Sequence, residues 1–142
     1  MTVPDLEQAE AYYRALFDME VVTREELGPD GDRQLPRDKD WSDARRAGID
    51  LYMVALRREG FVLALFDEAS PFIRELGHSH YRPLFIGLSM PADAIARVRG
   101  GLPAEDWDEE SGGFRDRYGV GWQFGGGNFS GTGDRIGSWL EV

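Results

Sequence analysis

The chain contains no cysteine, so disulfides, thiolate metal sites and a cysteine nucleophile are excluded. Lysine is almost as scarce: Lys39 is the only one, and the other cationic side chains are arginines. Histidine occurs only as His78 and His80. No apolar run approaches the roughly 20 residues that cross a bilayer. No signal-peptide pattern precedes Asp5, so a cytoplasmic location is the default expectation. Positive charge is in deficit, with 16 basic against 26 acidic residues and a net charge of −10. Nucleic-acid phosphates and anionic lipid would both be repelled, so no nucleic-acid and no membrane partner is expected.

What is present is enough for one domain: 142 residues with an ordinary apolar fraction. Asp5 is placed to cap a helix, with Gln8 three residues on, and Leu6, Ala9, Tyr13, Leu16 and Phe17 then fall on one helical face. A strand leaves it over Glu20–Arg24. From Leu27 to Gly48 the composition is polar and charged, which predicts a long loop with a short helical turn at Trp41–Arg46. Leu51–Leu56 and Phe61–Phe66 flank a short turn containing Gly60 and predict a hairpin. A connector over 70–82 leads to an apolar strand over Pro83–Met90. Pro91 then opens a short helix that Gly100 and Gly101 stop. A short strand near Trp107 precedes a closing hairpin, in which Val120, Trp122 and Phe124 alternate with Gly121 and Gln123.

The order is helix, strand, hairpin, then strand, helix, hairpin. This is nearly a repeated βαβββ unit that lacks its first strand, because Met1–Val3 reads as too short to supply it. The tail offers one. Gly125–Gly133 has the composition of a linker, and Asp134–Val142 reads as a strand. The predicted organisation is therefore a single domain over 1–142. It comprises a first module over 1–69, a second over 70–124, a linker over 125–133 and a completing strand over 134–142.

The stretch Asp116-Arg117-Tyr118-Gly119-Val120-Gly121-Trp122-Gln123 resembles the closing hairpin of the glyoxalase/bleomycin-resistance/dioxygenase proteins, the vicinal oxygen chelate superfamily. The subgroup it most resembles is the one labelled demethylubiquinone methyltransferase-like. The segment from Val3 to Val22 resembles the first helix and second strand of that superfamily's first module. The resemblance implies an α+β fold of two βαβββ modules forming a cupped mixed β-sheet, with the first strand here supplied by the C-terminal tail. Joined head to tail, the end and the start of the chain look like an ordinary superfamily N-terminus, which implies a circular permutation, natural or engineered. The resemblance also implies a homodimer.

Superfamily metal sites use a ligand on the first strand of each module and a Glu on the last. Those positions fall here at or near Trp139, near Pro83 and at Gln123, none a good ligand, so neither a metal nor another cofactor is expected. A one-residue shift on the first strand brings Glu141 near. His78 and His80 read as loop histidines, although His-x-His on one strand face binds metal and His80 has the intrinsic pKa of a general base. The acidic run Glu105–Glu110 lacks calcium-loop spacing, and Gly125–Gly127 is not followed by the Lys-Ser/Thr of a phosphate loop.

A sheet lined by aromatic and aliphatic side chains with a few polar groups suits a small organic ligand. By alternation Gln123 shares a face with Gly119 and Gly121, leaving space above the glycines. Phe85 and Ser89 line the neighbouring strand on the side of Pro83. Trp139, Tyr52 and Phe61 are further candidates, with core packing the competing role for every aromatic. The expected function is a metal-free small-molecule-binding protein. The alternatives are a metal-dependent lyase, isomerase or dioxygenase of the same superfamily, or an engineered permuted scaffold without preserved activity.

Overall fold

The computed structural model describes residues 1–77 and 80–125. The chain divides into two compact units, Met1–Arg82 and Pro83–Val142, the second described as far as Gly125. The class is α+β, with a five-stranded and a four-stranded mixed sheet and four helices. The connector over 70–82 belongs with the first unit. Arg82 Nε donates to Thr2 O at 3.1 Å and its Nη2 to Glu68 Oε2 at 2.9 Å.

In the first unit, β1 (Thr2–Val3) leads into α1 (Leu6–Phe17). The Asp5 carboxylate accepts from Gln8 N at 2.9 Å, satisfying one of the helix's orphan donors. Leu6, Ala9, Tyr13 and Phe17 are buried, and Asp18 ends the helix in the left-handed region at φ 54°. Three long strands follow, β2 (Glu20–Gly28), β4 (Leu51–Arg58) and β5 (Phe61–Asp67). The predicted hairpin is the β4–β5 pair, with Val54 opposite Leu65 and Leu56 opposite Leu63. Val54, Leu56 and Leu65 are fully buried, which fixes the register because a one-residue slip would turn them to the other face.

The stretch expected to be mostly loop is more ordered than its composition predicts. Glu25–Gly28 pairs with β3 (Gly31–Gln34) as a two-stranded ribbon, turned at Gly31, whose φ is +111°. All four residues of β3 are exposed, so no apolar period marks it. The helical turn is α2 (Trp41–Ala47), with a capping box: Asp43 N donates to Asp40 Oδ1 and Asp40 N to Asp43 Oδ2, both at 3.0 Å. Ala44 packs with Leu35 and Leu51 in a satellite core flanked by Trp41 and Ile49. A buried carboxylate ties these pieces together. Glu10 accepts from Arg24 Nε at 2.7 Å, Arg24 Nη2 at 2.5 Å, Trp41 Nε1 at 2.8 Å and Arg14 Nη1 at 3.3 Å.

The sheet order is β1-β5-β4-β2-β3. The reading of Met1–Val3 as too short for a first strand is corrected, because Thr2 and Val3 pair parallel with Phe66 and Asp67. Phe66 N donates to Met1 O at 2.9 Å and Glu68 N to Val3 O at 3.0 Å, while Thr2 N donates outward to Tyr81 O at 2.8 Å. With both edges bonded and both side chains buried, two residues suffice. The predicted tail strand over 134–142 and linker residues 126–133 lie outside the described residues. Gly125, placed at the head of that linker, instead closes the last described strand of the second unit.

The short helix α3 (Pro71–Glu75) completes the first unit. The second unit runs β6 (Phe85–Ser89), α4 (Ala92–Gly100), β7 (Trp107–Asp108), β8 (Gly113–Arg115) and β9 (Gly121–Gly125). Its order is β6-β9-β8-β7, with β6 parallel to β9. The first unit, its ribbon apart, has the same order, with first and last strands parallel. The βαβββ repeat is therefore present in both units. Among the described residues, no helix is long and apolar enough to cross a membrane.

Candidate binding face on the second sheet

The closing hairpin is built around Asp116. Its N–H donates to Val120 O at 2.9 Å, and its O accepts from Gly119 N at 3.0 Å. Its Oδ1 accepts from Tyr118 N at 2.8 Å and Val120 N at 3.0 Å, and its Oδ2 from Trp122 Nε1 at 2.7 Å. Gly119 occupies φ +83°, a conformation that favours glycine in so tight a turn. The sequence stretch that carries the family resemblance is thus a structural fixture. Its carboxylate accepts from two backbone amides and an indole.

That turn sets which way β9 faces. Trp122 is fully buried, and Phe124 follows it to the same side, where Trp107, Phe114 and Phe124 stack with centroids 5.9–6.4 Å apart. Gly121 and Gln123 point to the opposite side. There the register lays out three rows: Phe85, Gly121 and Arg115; then Gly87, Gln123 and Gly113; then Ser89 and Gly125. Gln123, half-buried on an interior strand, thus has a glycine on each neighbouring strand.

The structure brings Gln123, Phe85 and Ser89 onto one face, as alternation predicts. It differs over the space above the glycines. A Cβ on Gly121 would meet Phe85 Cδ1 at 2.2 Å and Cε1 at 2.4 Å, so the Phe85 ring already lies over Gly121; above Gly119 nothing comes within 4 Å. Phe85 stays 36% exposed. Arg115, absent from the sequence-derived candidates, joins the same face. Its guanidinium carbon sits 5.3 Å from the Phe85 ring centroid, and its Nη1 donates to Gly119 O at 2.5 Å. Asp108 ends the middle row, opposite Gly113. The Ser111 hydroxyl, then the Glu110 N–H, hold its carboxyl below the usual range. The acidic run over 105–110 accordingly passes through a 3-10 turn and β7 into a turn in which Asp108 bonds Glu110 N and Ser111.

Tyr52 and Phe61 belong to the first unit. Between the pairs Glu25–Met53 and Glu26–Leu51 the register slips, leaving Tyr52 as the extra residue of a bulge. Its ring packs against Phe66 and Phe72, and its hydroxyl donates to Asp32 Oδ1 at 3.0 Å. Burial, then the Asp32 hydrogen bond, push its pKa up to about 12. Phe61 alternates with Leu63 and Leu65 on the packed side of β5. A cavity of about 320 Å³ in this unit is lined by Met1, Thr2, Phe66, Phe72, Ile73 and Leu76 together with Tyr81. Its walls are almost wholly apolar, offering shape but little polar chemistry. Trp139, Glu141 and His78 lie outside the described residues.

The described positions do not fit a divalent-metal centre of the superfamily kind. Pro83 has no donor side chain, and Gln123 offers a neutral amide between glycines. Among the described residues no three His, Asp or Glu side chains come together as a ligand set.

No family model matches the chain, and no curated protein matches it. Several solved structures are similar, two of them as follows. The Arabidopsis thaliana gene product At5g48480 is 13% identical, with 87% of this chain and 89% of that one covered and a TM-score of 0.45. The hypothetical protein SA1046 from S. aureus is 16% identical, with 87% of each chain covered and a TM-score of 0.47. At these scores neither likeness has a bearing on function.

Proposed function

We propose that this chain is a small-molecule-binding protein of the vicinal oxygen chelate superfamily that works without a resident metal. One observation carries the reading. The second sheet sends its stacked aromatics to one side and keeps, on the other, a lone amide between two glycines beside an exposed phenyl ring. A polar side chain at the centre of a sheet face, flanked by residues without side chains and with an apolar neighbour, is the make-up of a small-ligand site. The amide at Gln123 supports a binder over a metal-dependent lyase, isomerase or dioxygenase, because a neutral amide holds divalent ions weakly.

The test is a fragment screen by amide NMR, with metal analysis of the same sample. Planar organic fragments are expected to shift the Phe85, Gly121 and Gln123 resonances, and Gln123→Ala to weaken the best of them several-fold, about the worth of one hydrogen bond. Shifts confined to other residues would reject the site. Stoichiometric metal that survives dialysis and is lost in Gln123→Ala would move the reading to the metal-dependent enzymes.

A further inference from the structure

We infer that the ligand of this face is a planar organic carboxylate, its ring laid on Phe85 and its carboxylate held by Arg115 and the Gln123 amide. The inference rests on the reading of that face as a binding site and goes beyond it by naming the ligand's charge and shape.

The reason lies in how the chain disposes of its cations. Arg14, Arg24, Arg33, Arg45, Arg46, Arg57, Arg82, Arg97 and Arg99 each form an ion pair with an Asp or Glu. In a chain of net charge −10, acidic partners are plentiful. Arg115 forms no such ion pair among the described residues; like Arg58 and Arg74 it donates to a backbone carbonyl, here Gly119 O, and it also lies against the Phe85 ring. Asp116, next in the chain, and Asp108, on the neighbouring strand β7, are both otherwise engaged. Asp116 spends its carboxylate on the turn amides and Trp122, and Asp108 spends its own on Glu110 N and Ser111.

A guanidinium carries five N–H donors in a planar fork matched to a carboxylate. One donor goes to Gly119 O, which anchors the group and leaves the others for a ligand. Gln123 is the diagonal neighbour of Arg115 on the same face, since Arg115 pairs with Gly121 and Gln123 with Gly113. Diagonal neighbours lie about 7–8 Å apart, within reach of two long side chains closing on one group. The amide N–H₂ of Gln123 adds a neutral donor, and Phe85, exposed beside them, supplies a surface for a ring.

The experiment titrates the full chain with benzoate, benzamide and acetate, followed by amide NMR, and repeats the benzoate titration with Arg115→Gln, Arg115→Lys and Phe85→Ala. Benzoate is expected to shift Phe85, Arg115, Gly121 and Gln123 and to bind about tenfold more tightly than benzamide, the worth of a charge-assisted hydrogen bond. Acetate should bind more weakly than benzoate, and so should Phe85→Ala with benzoate. Arg115→Gln should lose about tenfold. Arg115→Lys should fall between, because an ammonium keeps the charge without the fork. A dispersed spectrum for each variant shows that the sheet is intact. Equal binding of benzoate and benzamide at these residues, or unchanged affinity in Arg115→Gln, would overturn the carboxylate while leaving the binding face standing. No benzoate shifts on the face would overturn it too. The neutral members of the fragment screen then decide separately whether the face binds anything.

Discussion

The two units share a strand order but hold themselves together differently. Each contains a buried carboxylate that accepts an indole N–H: Glu10 from Trp41 at 2.8 Å in the first, Asp116 from Trp122 at 2.7 Å in the second. Glu10 gathers groups that are far apart in the chain, Arg24 at a separation of 14 residues and Trp41 at 31. It joins α1, β2 and α2. Asp116 gathers groups within six residues, so it holds a turn and the strand that follows. The first unit spends its buried charge on tertiary structure. The second spends its own on aiming one strand, so that Trp122 points into the packing and Gln123 out of it.

The sharpest break is therefore expected at Glu10. Glu10→Gln leaves the Arg24 side chain, only 12% exposed, without its counter-charge. Removing one partner of a buried pair costs about 3–5 kcal/mol. Denaturant unfolding should show that loss, with amide shifts spread over α1, β2 and α2. Asp116→Ala is expected to cost less, about 2–3 kcal/mol, for its lost charged hydrogen bonds. Its shifts should stay within β8, β9 and the turn between them. If the Asp116 variant disturbed its unit as widely as Glu10→Gln disturbs its own, the contrast between long-range and local anchoring would fail.

A smaller effect sharpens the contrast at glycines. Gly121→Ala places a methyl against the Phe85 ring and 3.1 Å from Leu84 O, and overpacking of this kind costs about 1–2 kcal/mol. Phe85→Leu in the same chain should recover part of that loss. Gly60→Ala, in the β4–β5 turn of the first unit, meets nothing within 4 Å and should change stability by less than about 0.5 kcal/mol. Melting curves of the four chains check this. Equal effects at Gly121 and Gly60 would mean that Phe85 does not rest on β9.

These contrasts also mark what is legible in the sequence. The helix cap at Asp5, the β4–β5 hairpin and the alternation of β9 follow from local pattern, and all three are present. The same alternation puts Phe85, Ser89 and Gln123 on one face. What is hidden depends on pairing between distant segments. The ribbon strand β3 is wholly exposed and has no apolar side chain, so nothing in its composition separates it from a loop. Thr2–Val3 is too short to show a period, and its role comes from β5, more than sixty residues on. Glu10 sits among charged helix residues, and only Arg24 and Trp41 reveal that it is buried. Arg115, in a three-residue strand next to a turn, reads as a solvated charge until the β8–β9–β6 register sets it beside Phe85.

The smallest expected effect concerns the ribbon, which has no counterpart among the described residues of the second unit. Tyr52 is its tether: the hydroxyl donates from the bulge of β4 across to Asp32 on β3. Burial and the carboxylate both favour the neutral phenol, so the folded pKa rises from 10.0 to about 12. The sign follows from that direction. A folded value above the unfolded one stabilises the protein at every pH below the unfolded value. The stabilisation is then lost as pH climbs from about 10 to about 12. Absorbance of ionised tyrosine should thus show Tyr52 titrating later than an unperturbed tyrosine. Tyr52→Phe should remove that lagging step and lower stability at neutral pH by about 1 kcal/mol, the net worth of one hydrogen bond. Above about pH 12 the difference in stability between the two chains should vanish or reverse, because the ionised phenolate would face Asp32. If Tyr52→Phe left the late titration in place, another tyrosine would own it. The ribbon would then be held by its backbone pairs and the Arg33–Glu26 ion pair alone.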